Sequence, residues 1–226
     1  MKNVIIYFFS GTGNTEFVAR LLEDNLKARN INVDIVPIDF TGKVEIEAYD
    51  TIFIGYPVHG YGMPPIIRQF IETLPAVNSK DAVIFSSFGG LSGGAEAVVA
   101  KLLVEKGYQP IGYCGILMPK NNPAGSDIQQ QPIEKYVASA RIKVSDFCQK
   151  IIIGKTIVRT FSLGNYLIGS RLNQYQISHL SQDFSKKAYT DKKCIYCLKC
   201  VKMCPVMNIK YQNNQISFSN HCLCCL

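Results

Sequence analysis

Cys194, Cys197 and Cys200 stand three apart, Cys204 follows four residues later, and Pro205 closes the run. Thiolates in a C-x2-C-x2-C-x3-C-P array are spaced to wrap a cubane of iron and sulfide, the first three on one cluster and the fourth on another. A second set of ligands is then required. Cys222 and Cys225 are again three apart, with Cys224 between them, before the sequence reaches Leu226. The competing chemistry is a structural zinc, but zinc sites take two C-x-x-C pairs across a longer loop, or histidines in place of one pair. Disulfides fit least: seven of the nine cysteines crowd into the last 33 residues, and the start of the chain does not read as a secretory leader.

A second constellation lies at the other end. Ser10-Gly11-Thr12-Gly13-Asn14-Thr15 separates the apolar run Val4–Phe9 from Phe17, Val18, Leu21, Leu22 and Leu26 at helical spacing. Strand, hydroxyl-rich glycine turn and helix present backbone N–H groups to a phosphate at a helix N-terminus. The turn holds no Lys or Arg, so neutral donors and the helix dipole would carry the binding. It is neither a Walker A loop, since no Gly-Lys-Ser/Thr follows, nor a G-x-G-x-x-G dinucleotide turn.

The elements that must position this turn repeat the same beat. Strands are expected at Val33–Pro37, Thr51–Gly55, Ala82–Ser86 and Ile111–Leu117, with helices near 65–74, 95–106 and 133–153. Alternation of this kind implies a parallel sheet covered on both faces, with ligands bound beyond the carboxyl ends of the strands. Loops 10–15, 56–63 and 87–94 would converge there. Cys114 and Cys148 read as small core hydrophobes.

This pattern resembles the flavodoxin family over residues 2–153. The resemblance implies a doubly wound five-stranded α/β sheet binding FMN, with Ser10, Gly11, Thr12, Gly13, Asn14 and Thr15 around the phosphate. It places Pro57, Val58, His59 and Gly60 against one face and the N5 edge of the ring, with His59 where flavodoxins often stack a large side chain. Ser87, Phe88, Gly89 and Gly90 would form the second wall, without the tyrosine usual there, and Met118–Pro123 would cover the ring edge.

Residues 154–189 fit neither constellation. Tyr166, Leu167, Leu172, Tyr175, His179 and Leu180 suggest a packed, partly helical connector, broken near Gly164 and Gly169. From residue 190 the chain resembles bacterial two-cluster ferredoxins, a small α+β domain. That likeness implies Cys194, Cys197 and Cys200 on one [4Fe-4S] cluster, with Cys204, Cys222 and Cys225 on a second. The third cysteine of the second run and the one returning to the first cluster are missing, so the expectation is a fragment of a longer chain, the alternative being a non-cysteine ligand on the first cluster. Seven lysines against Asp191 give the segment from Lys186 a balance of +6 out of a total of +7. Such charge offsets an anionic cluster more simply than it recruits nucleic acid.

Together the halves resemble the flavodoxin–ferredoxin fusions of anaerobes. The implied function is electron relay between [4Fe-4S] clusters, FMN and a soluble partner, a ferredoxin or a reductase. An FMN-dependent oxidoreductase reducing a small acceptor such as a quinone is the alternative, and a zinc-bearing interaction module a remote one. No apolar run approaches a membrane span, and the expected location is the cytoplasm.

Overall fold

Apolar residues on consecutive positions of the central runs Val4–Phe8, Ile52–Tyr56 and Ala82–Phe85 require cover on both faces, and the fold supplies it. The computed structural model describes residues 1–38, 44–120, 132–158, 162–175, 186–220 and 222–223. The calls on Cys224, Cys225, Asn121–Pro123, His179 and Leu180 lie outside the described residues. The elements in order are β1 (Asn3–Phe8), α1 (Asn14–Lys27), β2 (Asn32–Pro37), β3 (Thr51–Pro57), α2 (Pro65–Thr73), β4 (Lys80–Phe88), α3 (Ala95–Glu105), β5 (Tyr108–Leu117) and α4 (Ile133–Ile152). They are followed by α5 (Leu163–Tyr175), the short α6 (Lys199–Met203), and the hairpin β6 (Ile209–Gln212) and β7 (Gln215–Phe218).

Strands β1 to β5 form one parallel sheet in the order β2-β1-β3-β4-β5. Side chains alternate between its faces. Ile5, Tyr7, Ile52 and Ile54 pack with Ile66, Phe70, Val99 and Leu103 of α2 and α3. Val4, Ile6, Phe53 and Phe85 pack with Val18, Leu22, Val144 and Phe147 of α1 and α4. Each such side chain contributes about 1.5–3 kcal/mol on burial. Cys114 and Cys148 belong to the second layer, and burial pushes both thiols up to about 12, which keeps them unreactive.

The expected break near Gly164 and Gly169 is corrected: α5 runs unbroken through both. Gly169 serves close approach instead. A Cβ there would stand 2.3 Å from the Gly94 carbonyl oxygen, and one on Gly94 would stand 2.5 Å from that of Asn165. The two glycines let α5 lie directly on the start of α3. Asn173, also on α5 and almost fully buried, donates through Nδ2 to the Met63 carbonyl at 3.0 Å. The order reverses between β1 and β3, so the loops after β1, β3 and β4 open on one crevice.

Candidate functional site

The loop after β1 is shaped by its own side chains. Phe9 N–H donates to Gly55 O at 2.9 Å, holding the end of β1 against β3. Ser10 Oγ accepts from Gly13 N–H at 3.1 Å, and Gly13 closes the turn at φ 91°. A Cβ at Gly13 would meet nothing within 4 Å, so the backbone angle and not space calls for glycine. No side chain caps α1, whose first bond runs from Phe17 N–H to Gly13 O at 2.8 Å. The N–H groups of Asn14, Thr15 and Glu16 therefore have no acceptor within the helix and carry its positive end. Glu16 sits in that turn, but Arg20 holds its carboxylate at 2.9 and 3.1 Å and offsets its charge. Such an end receives an oxyanion through neutral donors.

Two of the loop's polar side chains tie it to the rest of the crevice. Asn14 Nδ2 donates to Pro119 O at 3.0 Å, beyond the end of β5. Thr15 is almost fully buried, and its hydroxyl pairs with that of Ser87, also buried, at 2.8 Å. Ser87 and Phe88 are strand residues, because β4 continues two positions past its expected end. A Cβ at Gly115 would meet Tyr113 Oη at 2.6 Å and Phe88 Cε1 at 3.0 Å, so the missing side chain on β5 leaves room for both rings. Gly89 lies against Lys120, whose Cγ would stand 2.4 Å from a Cβ there, and Gly90 faces open space.

The loop after β3 is a tight hairpin. Val58 N–H donates to Ser87 O at 2.8 Å, and His59 and Gly62 exchange N–H···O bonds at 3.0 and 2.9 Å. Gly60 at φ 52° and Tyr61 at φ 68° are both left-handed, the two-residue turn that suits strand twist. Gly93 packs on this turn so closely that a Cβ would come within 2.6 Å of Tyr61 Cβ. The Tyr61 side chain remains 53% exposed on the rim of the crevice. Sequence reasoning passed over it. An aromatic between Gly60 and Gly62, two positions after His59, was the available signal.

His59 meets the far end of the chain. Its Nδ1 lies 3.1 Å from the carbonyl oxygen of Leu223. A carbonyl only accepts, so Nδ1 carries the hydrogen. Burial holds the imidazole down at about 4, against a smaller opposing effect of that hydrogen bond, and the ring is neutral at pH 7. Leu223 is 5% exposed and joins the core layer of α2 and α3, with Val206 packed against the same layer. Nothing in the composition of the tail foretold this contact.

In the tail itself, Tyr196 and Leu198 take φ of 53° and 59°, bending the chain between successive thiols. Cys194, Cys204 and Cys222 are half-buried, while Cys197 and Cys200 are exposed. Cys204 Sγ accepts from Asn208 N–H at 3.1 Å. Among the described residues, no three His, Cys, Asp or Glu side chains gather closely enough to hold a metal ion. Of the expected ligands, Cys194, Cys197, Cys200, Cys204 and Cys222 are therefore not gathered into such a group here, and Cys225 lies outside the described residues. Among the described residues no helix is long and apolar enough to cross a membrane.

A family model described as Flavodoxin domain matches residues 5–121. A flavodoxin from Megasphaera elsdenii is 32% identical over 93 residues, which is 40% of this chain and 68% of that protein. Diflavin flavoprotein A 2 of Thermosynechococcus vestitus is 26% identical over 182 residues, and the chain spans only 30% of its length. The crystal structure of oxidised flavodoxin 2 from Bacillus cereus superposes with a TM-score of 0.52 at 21% identity, covering 67% of this chain and 98% of that one.

Proposed function

This chain belongs to the flavodoxin domain family, and on that premise we propose that it is an electron-transfer protein holding FMN in the crevice beyond β1, β3 and β4. The observation that carries the reading is the uncapped start of α1 behind the Ser10–Gly13 turn. Those donors suit the phosphate, with Ser10, Thr12 and the backbone from Gly11 to Thr15 around it. Asn14 and Thr15 hold the loop in place through Pro119 and Ser87. Pro57, Val58, His59 and Gly60 would flank one side of the ring and Gly89 and Gly90 the other, with Tyr61 at the rim. Bound FMN supplies storage for one or two electrons, and the chain supplies position, access and potential.

For the tail, the proposal of [4Fe-4S] binding rests on the spacing of Cys194, Cys197, Cys200 and Cys204, with Cys222 and Cys225 as the start of a second set. The Asn208 N–H on Cys204 Sγ is of the kind that tunes a ligating sulfur. The basic tail suits an acidic soluble carrier, a ferredoxin or a reductase, met in the cytoplasm. Two measurements on anaerobically purified protein test these halves separately. Denaturation should release FMN, and Thr12→Leu/Thr15→Leu should be isolated without it; released FAD, or full retention in the double variant, overturns the flavin assignment. Iron and acid-labile sulfide should co-purify and fall together in Cys194→Ser/Cys197→Ser; zinc in their place overturns the cluster assignment.

A further inference from the structure

We infer that the C-terminal segment around Leu223 is a working wall of the crevice, anchored by His59, so that seating of this segment and retention of the flavin are one coupled event. The inference deepens the proposed FMN reading and rests on it for the flavin part alone. Its basis is a junction between residues 164 positions apart. His59 N–H and C=O are both spent on Gly62, which fixes the imidazole's origin within a two-residue hairpin. The Nδ1–H then reaches Leu223 O at 3.1 Å while the Leu223 side chain enters the core layer of α2 and α3. A polar anchor and an apolar plug thus act on one residue. Val206 adds a second plug from the segment that follows Cys204.

The same hairpin is the element proposed to flank the ring. Anything that orders it favours the docked tail, and the docked tail favours its order; such coupling is reciprocal. Cys222 adjoins the plug in sequence and is half-buried, whereas Cys197 and Cys200 stand out in solvent. His59 is a positioning residue in this scheme. Its imidazole acts through Leu223, and the backbone of its hairpin is what flanks the ring.

Hydrogen exchange of the full-length protein, followed by mass spectrometry, tests the idea. His59→Leu removes the donor but keeps bulk, His59→Asn restores a donor near the Nδ1 position, and Leu223→Ser removes the plug but keeps the carbonyl. Peptides covering the last residues should exchange roughly tenfold faster in His59→Leu and Leu223→Ser, with sheet peptides unchanged and near wild-type rates in His59→Asn. FMN release, followed by fluorescence, should accelerate in the same two variants and recover in His59→Asn. Should His59→Leu fail to fold, Leu223→Ser carries the test. Unchanged exchange of the tail in the folded variants overturns the inference, as does a His59→Asn protein as fast as His59→Leu. Wild-type protein without FMN would instead overturn the flavin reading, while the exchange comparison would still report on the anchor.

Discussion

The hydroxyl pair between Thr15 and Ser87 is the most exacting point at which to test how the crevice is built. Both residues are nearly excluded from water, at 1% and 3% exposure, and their oxygens lie 2.8 Å apart. Thr15→Val and Ser87→Ala each remove one hydroxyl with little change of shape and leave the other without its partner. A buried polar group so stranded costs about 1–3 kcal/mol. Removing both leaves nothing stranded. Thr15→Val/Ser87→Ala should therefore be more stable than the sum of the single losses by about 1–3 kcal/mol. Urea unfolding of the flavin-free protein reads this coupling directly. FMN titration adds the functional arm. If Thr15 acts by tying loop 10–15 to β4, each single variant weakens FMN by roughly 5- to 30-fold and the double variant regains most of it. Single losses that add within about 0.5 kcal/mol would show that the pair does not act as a unit. Recovered stability with unrecovered FMN affinity would show that the Thr15 hydroxyl meets the phosphate itself.

Lowering pH should loosen the tail. His59 sits at about 4 in the folded chain against its usual 6.5, so between those values the unfolded or undocked state binds the extra proton. The contribution is intact above pH 6.5 and is lost as pH falls toward 4, worth at most about 3 kcal/mol. Tail exchange measured against pH should steepen through that window in the wild type and stay flat in His59→Asn. Gly169→Ala brings a Cβ to 2.3 Å from Gly94 O and should push α5 off α3, destabilising by about 1–3 kcal/mol in thermal unfolding. Unaltered melting would show that the helix has room to shift. Asn173→Leu leaves Met63 O without its donor and should cost about 1–3 kcal/mol, measured the same way.

The sheet was legible because β1, β3 and β4 each hold a run of consecutive apolar residues beside turn residues, and the alternation of strands with helices implies a parallel sheet. The Ser10–Thr15 turn was legible for a related reason: its chemistry is local, written in neighbouring residues, and Ser10 Oγ with Gly13 N–H closes it. Misreadings came where a residue's role depends on a distant partner. Gly169 read as a helix break because a glycine's local signature is flexibility, and its actual use is contact with Gly94 across 75 positions. The neighbour of the Phe88 ring, Gly115 on the adjacent strand, is likewise set by pairing across the sheet and not by local sequence. Asn173 and Leu223 carried no local signal, since an amide in a helix and a leucine in a thiol-rich tail have many ordinary uses.

These distant partners converge on one short segment. Residues 58–63 are held by Ser87 through Val58, by Gly93 beneath Tyr61, by Asn173 at Met63 and by Leu223 at His59. The holders come from β4, the loop before α3, α5 and the C-terminal segment, four places far apart in the sequence. A loop fixed so heavily pays its ordering entropy during folding and leaves little to be paid when a ligand arrives. Within residues 163–175 the packing runs through Gly169 and Asn173, with Tyr166 against the core layer, while Leu163, Leu167, Ile168 and Tyr175 stay exposed. A tether would let the tail roam, whereas α5 is held on α3 and Leu223 is held at His59. A consequence separates this from a tail that merely happens to touch. Releasing α5 by Gly169→Ala should speed exchange of the last residues even though Gly169 touches neither His59 nor Leu223. Tail exchange at the wild-type rate in a folded Gly169→Ala protein would mean that the two holds are independent, and the hairpin's order would then owe nothing to the connector.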